Sequence, residues 1–175
     1  MSNRERWLAE AEAVRARLAQ PGVAGREQFD ARTGVEFMAA IIAGELPQPP
    51  MGATLDVVPI SAEPGKVIFQ GTPGPQHQNL SGTIHGGYIA TLLDSAVGCS
   101  IRSMLPQGQG FTTLELKVNY IRAITDRTGP VRAEGKIISV GRQVAVAEAH
   151  ITDADGKLYA HATTTCLVFP TPTAQ

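Results

Sequence analysis

The sequence predicts an α+β domain in which a curved antiparallel sheet wraps around one long, apolar helix. Three observations carry this. The run from Gly86 to Met104 is apolar or small at almost every position, and Asp94 is the single charged residue between Gly86 and Ile101. Two strand-length segments precede that run. Four more follow it, separated by turn signals. A helix that is apolar nearly all round must be covered on most of its sides, and a strongly curved sheet supplies that cover.

The elements follow in order. Ser2–Ala19 reads as an amphipathic helix, with Trp7, Leu8, Ala11, Val14 and Leu18 at helical spacing and Pro21-Gly22 to end it. A second helix is predicted over Gly34–Ala43, after which Pro47, Pro49 and Pro50 lead into an extended region. Strands are predicted over Thr54–Ile60 and Lys66–Thr72, joined by a turn at Pro64-Gly65, then a loop over Pro73–Ser81 and the long helix over Gly86–Met104. Thr112–Ile121 alternates, placing Leu114, Leu116, Val118 and Tyr120 on one face and Thr113, Glu115, Lys117 and Asn119 on the other. Val131–Val140, Gln143–Thr152 and Leu158–Val168 complete a meander turning at Gly141-Arg142 and at Asp153-Ala-Asp-Gly156. The division expected is an N-terminal helical extension at 1–33, one domain at 34–170 and a tail at 171–175. Exposed sheet edges favour a dimer.

Bulk properties exclude several classes. With 175 residues, 43% hydrophobic content and a formal net charge of -1, the chain has no electrostatic reason to bind nucleic acid or an anionic membrane. No apolar run is long enough to span a bilayer, and the charged start lacks the apolar core of a secretory signal, so a cytoplasmic location is expected. Cys99 and Cys166 sit in apolar segments and suggest no disulfide framework. His77, His85, His150 and His161 lack metal-ligand spacing, so no metal is expected.

Two features could carry chemistry. A carboxylate removed from water loses several kcal/mol of hydration, on the order of the value for any buried ion, unless it is paired or hydrogen-bonded, which makes Asp94 the first candidate. Around it Gly87, Ala90, Thr91 and Gly98 form a stripe of small residues that suits either close packing or a ligand. The second feature is His85-Gly86-Gly87 at the helix start, where unobstructed N–H groups and the positive end of the helix dipole suit an anion or a developing oxyanion. The same glycines also suit a tight loop-to-helix corner. Asn79 and Thr83 stand nearby, to cap the corner or to donate to a ligand.

The run His85-Gly-Gly-Tyr-Ile-Ala-Thr-Leu-Leu-Asp94, with Thr112-Thr-Leu-Glu-Leu-Lys-Val-Asn-Tyr-Ile-Arg122 after it, resembles the hotdog-fold acyl-CoA thioesterases of the phenylacetate (PaaI-like) type. The similarity runs from about Glu36 to Phe169. It implies a hotdog fold paired into a homodimer and commonly assembled into a homotetramer, with active sites across the dimer interface. It implies hydrolysis of an aryl- or medium-chain acyl-CoA to free acid and CoA, without a cofactor, since CoA is part of the substrate. Asp94 is then base or nucleophile, the Gly86 N–H and the Asn79 side chain bind the thioester oxygen, and Thr113 helps to hold the attacking water. His85 and Gly87 shape the binding loop, and Arg122 and Arg142 are the candidates for the CoA phosphates. Ala123 departs from the pattern, because the family often has proline there. Phe37, Phe69, Tyr88, Phe111 or Tyr120 could line an acyl pocket, which the Gly34–Ala43 helix and the proline loop could cap. Two other readings stand beside this one: a hotdog hydratase or dehydratase using a histidine, and a non-catalytic acyl-CoA-binding or sensing module.

Overall fold

The computed structural model describes residues 1–171; of the tail expected at 171–175, all but Thr171 lies outside the described residues. Among the described residues five α-helices, α1 (Asn3–Arg15), α2 (Arg26–Asp30), α3 (Gly34–Ala43), α4 (Pro50–Thr54) and α5 (Gly86–Arg102), and a single 3-10 turn at Pro75–His77 accompany six strands, β1 (Val57–Glu63), β2 (Lys66–Gly71), β3 (Gln109–Tyr120), β4 (Val131–Val140), β5 (Val144–Asp153) and β6 (Leu158–Pro170). The strands form one antiparallel sheet in the order β1-β2-β4-β5-β6-β3. No described helix is long and apolar enough to cross a membrane.

The sheet curves around α5. Leu92, Leu93, Ala96, Val97 and Ile101 are fully buried against it, and each such Leu, Val or Ile contributes about 1.5–3 kcal/mol. The closest approach is at β4, where a Cβ on Gly135 would lie 2.1 Å from the Ala96 carbonyl oxygen. Only glycine lets the helix backbone descend onto the strand there. At the other end of α5 the buried Arg102 guanidinium sits 4.0 Å over the Phe29 ring and 5.5 Å from the centre of Phe37, and donates to the Gln109 carbonyl at 3.0 Å. A cation in the last turn also complements the helix dipole. This side chain ties α2 and α3 to the end of the central helix, a role the sequence did not suggest.

The N-terminal segments depart most from expectation. The first helix begins at a capping box between Ser2 and Glu5, as its sequence favours, but stops at Arg15. There Arg15 pairs with Asp56 at 2.6 Å, and the chain turns so that Ala19 can bridge to Pro47. The outer face of β2 and β4 is covered by α1: Trp7 stacks 4.4 Å from Arg132, which donates to the fully buried Gln70 at 3.0 Å. Where the three prolines implied extended chain, Pro50 instead starts α4, because its fixed φ suits the first helical position. By contrast α3 has the predicted bounds, with Thr33 and Glu36 as its capping box. Its Met38, Ala40 and Ile41 belong to the same core as α5.

One strand differs in a way that matters for chemistry. Unbroken alternation along β3 would point Thr113 to the face opposite Leu116 and Val118. The register instead jumps between Thr113 and Glu115, leaving Leu114 unpaired. A β-bulge of this kind resets the alternation. Thr113, Leu116 and Val118 therefore all face the helix side half-buried, while Leu114 is left 59% exposed.

Candidate active site

Asp94 and Thr113 meet. The Thr113 hydroxyl donates to Asp94 Oδ1 at 3.1 Å, and the Cys166 thiol lies 3.9 Å from the same hydroxyl. The bulge turns Thr113 inward, and one turn of α5 presents Asp94 to it. Asp94 is half-buried rather than enclosed as its apolar surroundings in sequence suggested, because the small-residue stripe is turned outward beside β3, the edge of the sheet. Gly87 is exposed, Thr91 half-buried, and Gly98 covered by Phe111. Asp94 Oδ2 has no partner among the described residues, so half of the carboxylate is available to a water or a substrate.

The helix start forms a second, separate group. His85 caps α5 by accepting the Gly87 N–H on Nδ1 at 2.8 Å, and its own N–H donates to the His77 carbonyl at 2.8 Å. Gly86, first in the helix, has no intrahelical acceptor for its N–H, and none outside the helix among the described residues. Asn79 is fixed by its own turn: Oδ1 accepts from Ser81 N at 2.9 Å and Thr83 N at 3.3 Å, and Nδ2 donates to Thr83 Oγ1 at 2.9 Å. An amide has two Nδ2 protons, so one remains for a ligand. An open groove here is lined by Asn79, His85, Gly86, Gly87, Tyr120 and Arg122, among others.

Tyr120, a candidate in the sequence for lining an acyl pocket, belongs instead to this group. Its hydroxyl donates to the Gly86 carbonyl at 3.1 Å, and its ring would lie 3.3 Å from a Cβ on Gly86. The side chain thus holds the first peptide of the helix from one side. Its signal in sequence was its place at the end of β3, but nothing in one strand tells which helix it meets.

The remaining candidates are distributed by topology. Arg122 lies on the groove and donates to the Leu158 carbonyl at 2.6 Å. Arg142 sits in the β4–β5 turn, at the other end of the strands. Thr113 pairs with Cys166 and Cys166 with Ala145, so Arg142 belongs to the Asp94 end of the sheet and not to the Gly86 end. Of the five aromatic residues considered for an acyl pocket, Phe69 alone lines the apolar cavity beside α5. Phe37 packs on Phe29, Tyr88 on His77, Phe111 on Gly98 and Tyr120 on Gly86. Cys99 also borders that cavity, and its thiol is pushed up to about 12 by burial and then by the Asp94 carboxylate, so it stays protonated and unreactive.

Residues 81–160, which hold the helix start, Asp94 and Thr113, match the model of the Thioesterase superfamily. Human acyl-coenzyme A thioesterase 13 is 33% identical, over 47% of this chain and 74% of that protein. A phenylacetic acid degradation-related protein of Ralstonia eutropha superposes with a TM-score of 0.68 at 26% identity, covering 74% of this chain and 98% of its own. A Streptococcus mutans protein solved bound to acetyl CoA superposes at 0.60 with 28% identity, covering 67% and 91%. The antiparallel sheet wrapped on one long helix is the hotdog fold of these thioesterases, and the chain belongs to the thioesterase superfamily.

Proposed function

We propose that the protein hydrolyses acyl-CoA thioesters at a site completed by a second copy of the chain. The observation that carries this is a separation. Gly86 and Asp94 stand eight residues apart on one helix, about 12 Å along its axis. A thioester carbonyl needs its nucleophile within about 3.5 Å and its oxygen about 3 Å from the oxyanion donor. One chain cannot satisfy both. Two copies whose outward α5 stripes face each other antiparallel bring Asp94 and Thr113 of one to Asn79 and Gly86 of the other. Arg142 of the first copy and Arg122 of the second then flank the same site, where CoA phosphates would lie.

The chemistry follows from these groups. Asp94, held through Oδ1 by Thr113, takes a proton from water on Oδ2 while the water oxygen attacks the thioester carbon. The carbonyl π pair moves onto oxygen, where the Gly86 N–H, the spare Asn79 N–H and the helix dipole stabilise the charge. Collapse breaks the C–S bond, and the CoA thiolate takes the proton from Asp94. Attack by Asp94 itself, through a mixed anhydride later opened by water, uses the same groups. His85 has Nδ1 committed to the helix cap and is exposed, which weighs against a histidine-driven hydratase.

The test is free-thiol release from a panel of acyl-CoAs, with Asp94→Asn beside wild type. This nearly isosteric change is expected to lower kcat by about 10²–10⁴-fold with the oligomer unchanged in size. Equal turnover in the variant would rule out the mechanism.

A further inference from the structure

The short helices α3 and α4, with β1, β2 and one side of α5, line a cavity of about 120 Å³. Resting on the thioesterase reading, we propose that this cavity receives the acyl group, and that it selects an unsubstituted aliphatic chain of about six carbons over longer or hydroxylated ones.

Thr91 and Ser95 form the α5 wall of the cavity, and Thr91 also belongs to the outward stripe, one turn before Asp94. A thioester held at Asp94 therefore has the cavity within one helical turn. The lining of the cavity is mostly apolar. Thr91 donates its hydroxyl to the Gly87 carbonyl at 2.9 Å and Ser95 to the Thr91 carbonyl at 2.8 Å, so both donors are spent on the helix itself. The rest of the lining is apolar, Met38, Ile41, Val57 and Phe69 among it, except for the Cys99 thiol and the half-buried Gln48 amide, which also borders the outer groove beside Arg15 and Asp56. A hydroxyl carried to that depth loses its water and finds no donor or acceptor among those four apolar side chains. An apolar cavity of about 150 Å³ holds a benzene molecule, so one of about 120 Å³ takes roughly five carbons beyond the carbonyl. Met51, on α4 and 57% exposed, stands at the outer wall.

The test uses the purified full chain and reads both turnover and binding. For wild type, kcat/KM is expected to rise about fourfold per methylene from acetyl- to hexanoyl-CoA and to gain nothing further at decanoyl-CoA. With 6-hydroxyhexanoyl-CoA it should fall at least about tenfold below hexanoyl-CoA. Cys99→Leu fills the cavity from α5 and should cut the hexanoyl-to-acetyl ratio about tenfold or more. Met51→Trp, at an exposed position that burdens the core less, should shift the ratio in the same direction if the first variant does not fold. Rates that ignore chain length, equal rates for the hydroxylated chain, or a ratio unmoved by the variants would overturn the assignment. Calorimetric binding of the non-hydrolysable thioethers S-ethyl-CoA and S-hexyl-CoA separates the two readings. Tighter S-hexyl-CoA binding that Cys99→Leu abolishes, with no hydrolysis of any thioester, upholds the cavity and defeats the thioesterase. Hydrolysis with equal thioether affinities does the reverse.

Discussion

The two ends of the outward face of α5 are built by different means. At the Asp94 end a side chain is fixed by other side chains of the same chain: the bulge in β3 turns Thr113 onto the carboxylate, and the bond is made at 3.1 Å. At the Gly86 end the useful group is backbone. Its N–H is left over by the geometry of a helix start, while His85, Asn79 and Tyr120 hold the surrounding peptides in place. One end offers a finished acid-base pair and the other a vacant donor, on surfaces that cannot meet within one chain. The difference teaches why the proposed reaction calls for two copies, each carrying one half of the site. A symmetric pair would complete two such sites at once.

The sharpest way to break this comparison is to disable the two halves separately and mix them. Gly86→Pro removes the one N–H at stake and keeps the helix, since proline is favoured at the first helical position and the extended His85 backbone (φ -60, ψ 136) accepts a following proline. The Tyr120 ring must yield by a few tenths of an ångström. The expected loss in kcat is about 10²–10³-fold. If sites are shared between copies, unfolding and refolding this variant with an equal amount of Asp94→Asn restores about a quarter of wild-type activity, because half the dimers are mixed and each has one intact site. A mixture as inactive as its components would place the site within one chain.

A smaller effect sharpens the Asp94 end. Thr113→Val keeps the shape and removes the hydroxyl, leaving Oδ1 without its donor. Hydrogen bonds to charged groups contribute roughly 1.5–3 kcal/mol, so kcat should fall by about one to two orders of magnitude. Thr113→Ser, which can still donate, should recover most of it. A serine variant as slow as the valine variant would show that the methyl group matters, through packing, and not the hydroxyl.

These two ends were unequally legible in the sequence. Asp94 was conspicuous as the lone charge between Gly86 and Ile101, and the glycines after His85 marked the helix start. The bounds of α3 were legible too, since Thr33 and Glu36 are a capping pair and Gly44 closes the helix with a φ of 81°. The bulge was not, because a bulge is a mismatch between two strands and the alternation of β3 by itself looks unbroken. For the same reason Tyr120 over Gly86 and Arg102 under Phe29 went unseen. Each is a contact across many residues, fixed by how elements pack and not by local pattern. The short α2 and α4 lacked the periodicity that reveals longer helices.

The smallest expected effect lies away from both ends, in the helix that walls the apolar cavity. The Thr33 hydroxyl donates to the Glu36 carboxylate at 2.7 Å and the Thr33 N–H at 2.8 Å, and these bonds hold the Glu36 carboxyl below its ordinary 4.5. A carboxyl depressed by folding stabilises the folded state above its unfolded value, and the contribution is lost as pH falls through the folded one. Glu36→Gln retains a capping side chain that can accept the same N–H, so the variant isolates the charge. Wild type should melt higher than the variant at pH 7 by on the order of a degree, with the gap steady down to about pH 5 and closing as the pH falls below 4.5. A gap that persists unchanged to pH 3 would mean that the carboxylate charge does not set the stability of this cap. In that case α3 is held by Met38, Ile41 and the Arg102 clamp on Phe37, and not by its first turn.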